Sequence, residues 1–343
     1  MSATKILLLT PYFKENRGNS TTAKRISAGL KQNGFDVTVF AYEEERWNDE
    51  IQTIADHCDL IHIIHFYRFS KWLKETNFEL NKPFVMTNGG TDVNHDLDND
   101  VNRGDMRSLL ERTSAITVFT NDAKLKLRNA YSDMNLKLHV IPQSVWFPPS
   151  NEEKQDNQLP LIKGDPAILL PAGLRAVKDI FYLMEELISL QKKYPHLQFV
   201  IAGMVLDGEI YETLQHYMRK YNWLHFLENV PIEEMKSLYK WADFVLNTSI
   251  SEGQSSALLE AMDMDCLVLA RNNPGNASII QDGINGFLFK TRVEFSQKIE
   301  AVMHDEEQRK SIIHHAKNHI QSQHCFEDEI KAFIKLYEEC LKM

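Results

Sequence analysis

At 343 residues, 43% hydrophobic and 25% charged, the chain is long enough for two domains with full cores and carries no sign of a disordered composition. A net charge of −10 argues against a nucleic-acid partner, which demands clustered Lys and Arg. The four cysteines (Cys58, Cys266, Cys325, Cys340) form no close pair and no metal-type spacing, and no apolar run approaches the ~20 residues needed to span a bilayer, so a cytoplasmic protein without a transmembrane segment is expected.

Lys5 to Leu9 predicts a strand, followed by a polar loop through Arg17-Gly18-Asn19-Ser20, a helix carrying Ala23, Ile26 and Leu30, and a second strand at Phe35 to Phe40. Strand, helix and strand in about 35 residues make a βαβ unit, whose first loop lies at the carboxyl edge of a parallel sheet, where ligands bind. Gly18 stands out there, because glycine lets a backbone approach a phosphate without a Cβ clash, although it also serves ordinary turns.

Asp59 to Phe66 is the next strand, and His65 and Arg68 at its end read either as cleft residues or as a strand-end histidine and a surface arginine. Lys71-Trp72-Leu73-Lys74 suggests at most a short peripheral membrane contact beside the commoner reading of a helix exterior. Pro83 to Thr87 forms a strand ending in Asn88-Gly89-Gly90-Thr91-Asp92, with Asn88, Thr91 and Asp92 as polar candidates. Asp96, Asp98 and Asp100 invite a calcium reading, but Val101 and Arg107 stand where the loop needs glycine and glutamate, so a solvated loop and no metal are expected. Ala115 to Phe119 and Leu138 to Ile141 complete the sheet, and Pro142-Gln143-Ser144-Val145 ends it, with Gln143 a further cleft candidate.

The polar, proline-started run from Phe147 to Gln158 lacks periodicity and reads as a linker. Residues 1–146 then form the first domain, 147–165 the linker and 166–324 the second domain. Ala167 to Leu170 opens that second domain, leading to Gly173-Leu174-Arg175-Ala176-Val177-Lys178-Asp179 and a helix through Phe181, Met184, Leu187 and Leu190. Arg175 and Lys178 at this strand-to-helix turn suit a diphosphate, though such cations are also commonly solvated. Gln198 to Gly203 is a strand, followed by Leu224-His225-Phe226-Leu227-Glu228-Asn229-Val230-Pro231.

After the short strand Phe244-Val245-Leu246, the stretch Ser249 to Met262 reads as a loop feeding a helix, with Ser251 and Gln254 at capping-box spacing. A helix start offers amide N–H groups and a positive dipole end to an anion. Glu252 and Glu260, placed on one helix, would lie about 12 Å apart, near the reach of a nucleotide sugar, although the same spacing fits two glutamates on a solvated face. His314, His315 and His319 lack the intervening glutamate of a zinc hydrolase and read as a hydrated helix face. A last helix, about Glu327 to Leu341, carries Ile330, Phe333, Ile334 and Tyr337 on one side.

Glu252-Gly253-x6-Glu260-Ala261 after an apolar strand resembles the signature of family-4 retaining glycosyltransferases with the GT-B fold, and Pro274-Gly275-Asn276 with Ile279 to Leu288 resembles the segment that follows it. Gly90-Thr91-Asp92-Val93-Asn94, Gly173-Leu174-Arg175-x2-Lys178-Asp179 and Ala270-Arg271-x2-Pro274-Gly275-Asn276 are most similar to the glycosyltransferase 1 domain-containing subgroup, over nearly the whole chain. The resemblance implies an α/β protein of two facing Rossmann-like domains with parallel sheets and a deep cleft between them, the helix at about 325–343 packing back on the first.

It further implies transfer of a sugar, with retention, from a nucleotide sugar (a UDP-sugar favoured) to an unidentified small-molecule or glycan acceptor, without metal or cofactor. Arg175, Lys178 and Glu252 would be catalytic, and Gly18, Asn19, Val230, Gly253, Gln254, Ser255, Ser256 and Glu260 would bind the donor. His65, Arg68, Asn88, Thr91, Asp92 and Gln143 would face the acceptor or cleft. Many family members carry a histidine just before the glycine matching Gly90, where this chain has Gly89. A nucleotide-sugar epimerase or hydrolase of the same fold and a non-catalytic nucleotide-sugar-binding protein are the alternatives.

Overall fold

Uninterrupted apolar runs such as Ile6-Leu7-Leu8-Leu9 are what a strand buried on both faces requires. In the computed structural model, which describes residues 3–15, 17–76, 78–149 and 163–342, these runs form the centres of two separate parallel sheets. The chain divides into two compact units, one of Met1–Ser144 with His324–Met343 and one of Val145–Gln323; residues 150–162 of the expected linker lie outside the described residues.

The first unit contains β1 (Lys5–Thr10), β2 (Asp36–Ala41), β3 (Leu60–Ile64), β4 (Phe84–Asn88), β5 (Ala115–Val118) and β6 (Leu138–Val140), all parallel, in the order β2-β1-β3-β4-β5-β6. Alternation along β1 sends Leu7 and Leu9 into one core and Ile6 and Leu8 into the other. The last helix, Phe326–Leu341, belongs to this unit and fills the second core with Phe333, Leu336, Tyr337 and Cys340.

Polar bonds tie the same helix down. Arg25 Nε lies 2.8 Å from Glu329 Oε2 and its terminal nitrogen 3.0 Å from Oε1, with both side chains only 1% exposed. Ser144 donates to the same carboxylate through its backbone N–H and its hydroxyl, and Gln143 Oε1 accepts from Arg25 at 3.1 Å. Further along, His62 bonds Tyr337 OH at 2.5 Å and Thr87 Oγ1 at 2.6 Å. Burial pushes the His62 imidazole down to about 3, so it is neutral at ordinary pH.

Three expectations for this unit change. The strand ends at Ile64 rather than Phe66, because His65 takes a left-handed conformation (φ 69°) and caps the helix Phe66–Glu75. The aspartate stretch is helical instead of a solvated loop: a 3-10 turn at Asp96–Asp98 leads into Asp100–Arg112, and burial together with nearby Asp92 raises Asp96 to about 6. Trp72 packs with Phe40, Tyr42, Trp47, Phe69 and Phe78 at ring separations of 5.3–6.0 Å, so its indole is committed to the core and not to a surface anchor. Among the described residues no helix is long and apolar enough to cross a membrane.

The second unit contains β7 (Ala167–Pro171), β8 (Gln198–Gly203), β9 (Leu224–Glu228), β10 (Phe244–Asn247), β11 (Leu267–Arg271) and β12 (Phe287–Phe289), in the order β12-β11-β10-β7-β8-β9. Its strand order is the Rossmann one, reversing direction between β7 and β10. At such a switch point the helices that follow the two strands pack on opposite faces of the sheet, and ligands bind at the carboxyl edge between them.

A buried charge left without its partner is far costlier than the loss of both. Glu329→Ala or Arg25→Ala should each lower the free energy of unfolding by about 3–5 kcal/mol, whereas Arg25→Met with Glu329→Leu should lose less than either single change. Urea unfolding of the three variants checks this, and single changes costing under about 1 kcal/mol would contradict it.

Candidate active site

The loops that leave β7 and β10 at the switch point meet. The first contains a 3-10 turn, Ala176–Lys178, and the second runs from Thr248 to Ser255. Ile250 N–H donates to Val177 O at 2.9 Å and Thr248 Oγ1 to Lys178 O at 2.8 Å, so the two backbones are laced together. On that base Lys178 Nζ stands 2.5 Å from Glu252 Oε1. Arg271, at the end of β11, braces the turn from its other side: it donates to Asp179 Oδ2 at 2.7 Å and lies over the Tyr182 ring at 4.1 Å.

Glu252 is held as a carboxylate. Its Oε1 also accepts from Ser249 Oγ at 2.6 Å and Asn247 Nδ2 at 3.2 Å. Burial alone would push the group up, but the Lys178 cation and these hydrogen bonds bring it below its ordinary value of 4.5.

The expected common helix for Glu252 and Glu260 is not formed. The helix is Ser256–Asp263, capped by Ser255 without a side-chain bond, so Glu252 sits in the preceding loop and Ser251 caps nothing. Tertiary contacts hold the loop out of the helix. Asn273 Nδ2 donates to Ser249 O at 3.0 Å, Asn247 Oδ1 accepts from Ser249 N–H at 3.0 Å, and the short helix Pro274–Ala277 lies against Glu252, where a Cβ on Gly275 would come within 2.4 Å of Glu252 O. Gln254 Nε2 reaches Ser278 Oγ at 3.4 Å, Ser255 Oγ receives Asn247 Nδ2 at 3.2 Å, and Ser256 is the first helical residue after Gly253.

Glu260 faces inward on that helix, where its Oε2 accepts from Tyr239 OH at 2.8 Å. Burial and the neighbouring carboxylate push the Tyr239 phenol well above 10, which keeps it a donor. Arg175 is exposed at the start of the 3-10 turn, and Val230 follows Asn229, whose backbone turns left-handed (φ 53°) beyond β9. The structure thus joins Lys178 to Glu252 directly and keeps Arg175, Glu260 and Val230 in the same unit.

Gly18, Asn19, His65, Arg68, Asn88, Asp92 and Gln143 all belong to the first unit. Gly18 and Asn19 open the helix Gly18–Gln32, and a Cβ built on Gly18 meets nothing within 4 Å. Arg68 donates to Tyr12 OH at 3.1 Å. Asp92 Oδ1 accepts from the amides of Gly89, Gly90 and Val93, while Asn88 Oδ1 accepts from Phe66 N–H and its buried Nδ2 has no partner. Gln143 is engaged in the Arg25 network, and the side chain of Thr91 lies outside the described residues. The Phe119 ring packs where a side chain at Gly89 would stand: a Cβ there would fall 2.4 Å from it, so a larger residue would require the ring to shift.

Two residues, Asn247 and Tyr239, escaped the sequence reading, while Ser249 and Asn276 entered it only inside longer motifs and were given no role of their own. A polar residue closing the apolar strand at Phe244-Val245-Leu246-Asn247 is the signal that could have found the first of them. Among the described residues no group of three or more His, Cys, Asp or Glu side chains is arranged to hold a metal ion.

A carboxyl depressed on folding adds stability that is complete above its unfolded value and disappears as pH falls through its folded one. The Glu252 contribution should therefore be full above 4.5 and lost below it. In thermal melts between about pH 3.5 and 7, Glu252→Gln should melt below the unchanged chain near neutrality, with the gap closing on acidification; a gap independent of pH would contradict this.

The model of the family glycosyl transferases group 1 matches residues 151–319. The chain is 30% identical over 95% of both chains to glycosyltransferase 1 domain-containing protein 1 of Xenopus tropicalis, and 31% identical to the putative glycosyltransferase EpsD of Bacillus subtilis over 41% of this chain and 37% of that one. Two solved structures share its fold: HepE of Anabaena in complex with UDP-glucose (TM-score 0.77, 17% identity, 98% of this chain and 99% of that one) and a glycosyltransferase of Rickettsia africae (TM-score 0.77, 18% identity, 100% of both chains). The fold is the GT-B fold, and the activity common to this family is transfer of a glycosyl group from a nucleotide sugar. The chain belongs to the glycosyl transferases group 1 family and is a glycosyltransferase.

Proposed function

We propose that the chain is a retaining, metal-independent glycosyltransferase of the cytoplasm that takes its sugar from a UDP-sugar. The observation that carries this reading is the contact of Lys178 with Glu252 across the switch point of the second sheet. Lys178, aided by Arg175, supplies positive charge where a diphosphate leaves, and the helix start at Gly253 to Ser256 adds backbone N–H groups for the same anion. No metal is needed for that task in this scheme.

Glu252, kept ionised, only accepts hydrogen bonds and therefore suits the hydroxyls of the transferred sugar. Glu260, oriented by Tyr239, takes the ribose hydroxyls, and the backbone at Val230 takes the base. Retention follows if the leaving phosphate removes the proton of an acceptor hydroxyl approaching on its own side of the sugar, a scheme that requires no protein nucleophile. UDP is favoured because the similarly folded HepE is described with UDP-glucose, and the four free cysteines suit a reducing compartment. His65, Arg68, Asn88 and Asp92, at the carboxyl edge of the first sheet, are the acceptor-side candidates.

A nucleotide-sugar hydrolase or epimerase is the second reading. It is favoured by Gly89, which stands where many relatives carry a histidine, with the Phe119 ring filling the space beside it.

Thermal shift and nucleotide release with a panel of UDP-, GDP- and ADP-sugars test the proposal, since the true donor stabilises the folded chain by mass action. UDP-sugars should raise the melting temperature most, and release in water without acceptor would support the second reading instead. Glu260→Ala should weaken nucleotide binding by about tenfold or more, while Lys178→Met should cut kcat by about 10²–10³ with a smaller change in KM. Unchanged turnover in both would remove these roles.

A further inference from the structure

Behind Glu252 lies a buried pair of asparagines that the donor scheme does not use. Asn247, the last residue of β10, is 6% exposed, and Asn276, in the short helix after β11, is 0% exposed. Asn247 Oδ1 accepts from Ser249 N–H at 3.0 Å and from Asn276 Nδ2 at 3.2 Å. An amide oxygen only accepts and its nitrogen only donates, so these two bonds settle which way the Asn247 amide faces. Its Nδ2 is thereby turned onto Glu252 Oε1 and Ser255 Oγ, each at 3.2 Å.

Asn276 is fixed in turn by donating to Arg271 O at 2.9 Å, while its own Oδ1 is buried without a partner. An unsatisfied buried acceptor costs stability, and an apolar residue of similar size would avoid that cost. It would also take away one of the two donors that hold Asn247 Oδ1, leaving the aim of Nδ2 at Glu252 looser. The two asparagines therefore make sense as a pair.

We propose that Asn247 and Asn276 are positioning residues of the donor site, Asn276 locking the Asn247 amide and Asn247 aiming the Glu252 carboxylate at the hydroxyls of the transferred sugar. The proposal rests on the donor reading of this site. Lys178 and Ser249 share Glu252 Oε1 with Asn247, so the carboxylate is oriented through one oxygen by three donors. The charges packed around it are Lys178 and, behind that turn, the Arg271–Asp179 pair.

The test compares UDP-glucose with UDP as calorimetric probes of the full-length chain, since only the former reports on sugar contacts. Asn247→Asp puts a second carboxylate beside Glu252, and two such groups share a proton. That variant should bind UDP-glucose about tenfold more weakly at pH ~8, recover part of the loss at pH ~5.5, and keep its UDP affinity within about twofold. Asn247→Leu should show the same loss without the recovery. Asn276→Leu, one step removed from the carboxylate, should also lose UDP-glucose selectively, and it carries the test should the Asn247 variants not fold. Equal weakening of UDP and UDP-glucose, no weakening, or the same pH response in the Asp and Leu variants of Asn247 would overturn the proposal. Binding of neither probe by the unchanged chain would instead remove the donor reading, and the positioning role with it.

Discussion

One ion pair organises the second unit. Lys178 and Glu252 come from loops far apart in sequence, and they meet because β7 and β10 are neighbours in the sheet while their loops leave at the switch point. With side chains 16% and 12% exposed, the pair is dry enough for its charges to be felt strongly and open enough for a ligand to reach. Everything nearby serves that meeting. Thr248 and Ile250 lace the two backbones, Arg271 braces the far side of the turn, and Ser249 and Asn247 add donors to the same carboxylate oxygen.

The first unit depends on a different charge pair with a different purpose. Arg25 and Glu329 are sealed from solvent, and their hydrogen bonds extend to Gln143 and Ser144. A bidentate pair is directional, so it adds a geometric constraint to the apolar contact between the last helix and Gly18–Gln32. The His62–Tyr337 bond repeats the device further along the same helix.

All six strands of the first sheet and three of the second were legible in the sequence because doubly buried strands must be continuous apolar runs, as Ile6 to Leu9 and Phe244 to Leu246 are, whereas Leu224–Glu228, Leu267–Arg271 and Phe287–Phe289 were not read as strands. The helix start near Glu252 was not. Ser251 and Gln254 have the spacing of a capping box, but the sequence does not reveal that Asn273 and Asn247 seize the Ser249 backbone and keep the loop extended until Ser255. His65 was misread for a similar reason: a left-handed residue ending a strand has no apolar signature. Lys178 and Glu252 were found through the family resemblance, since spacing alone left both as ordinary surface charges. Asn247 carries no periodicity or charge and Asn276 was seen only within the Pro274-Gly275-Asn276 motif, so their burial and mutual hydrogen bond are what give the pair a role. The absent histidine at Gly89 was visible in the sequence, whereas the Phe119 ring that packs against it comes from 30 residues away and became apparent only in the fold.

The central claim is that the turn after β7 and the loop after β10 grip one activated sugar between them. A crystal structure of the full-length chain grown with UDP-glucose tests it most directly. The account predicts the diphosphate within hydrogen-bond distance of Lys178 Nζ, sugar hydroxyls on Glu252 and ribose hydroxyls on Glu260. A donor bound elsewhere, with the Lys178–Glu252 contact untouched, would contradict it.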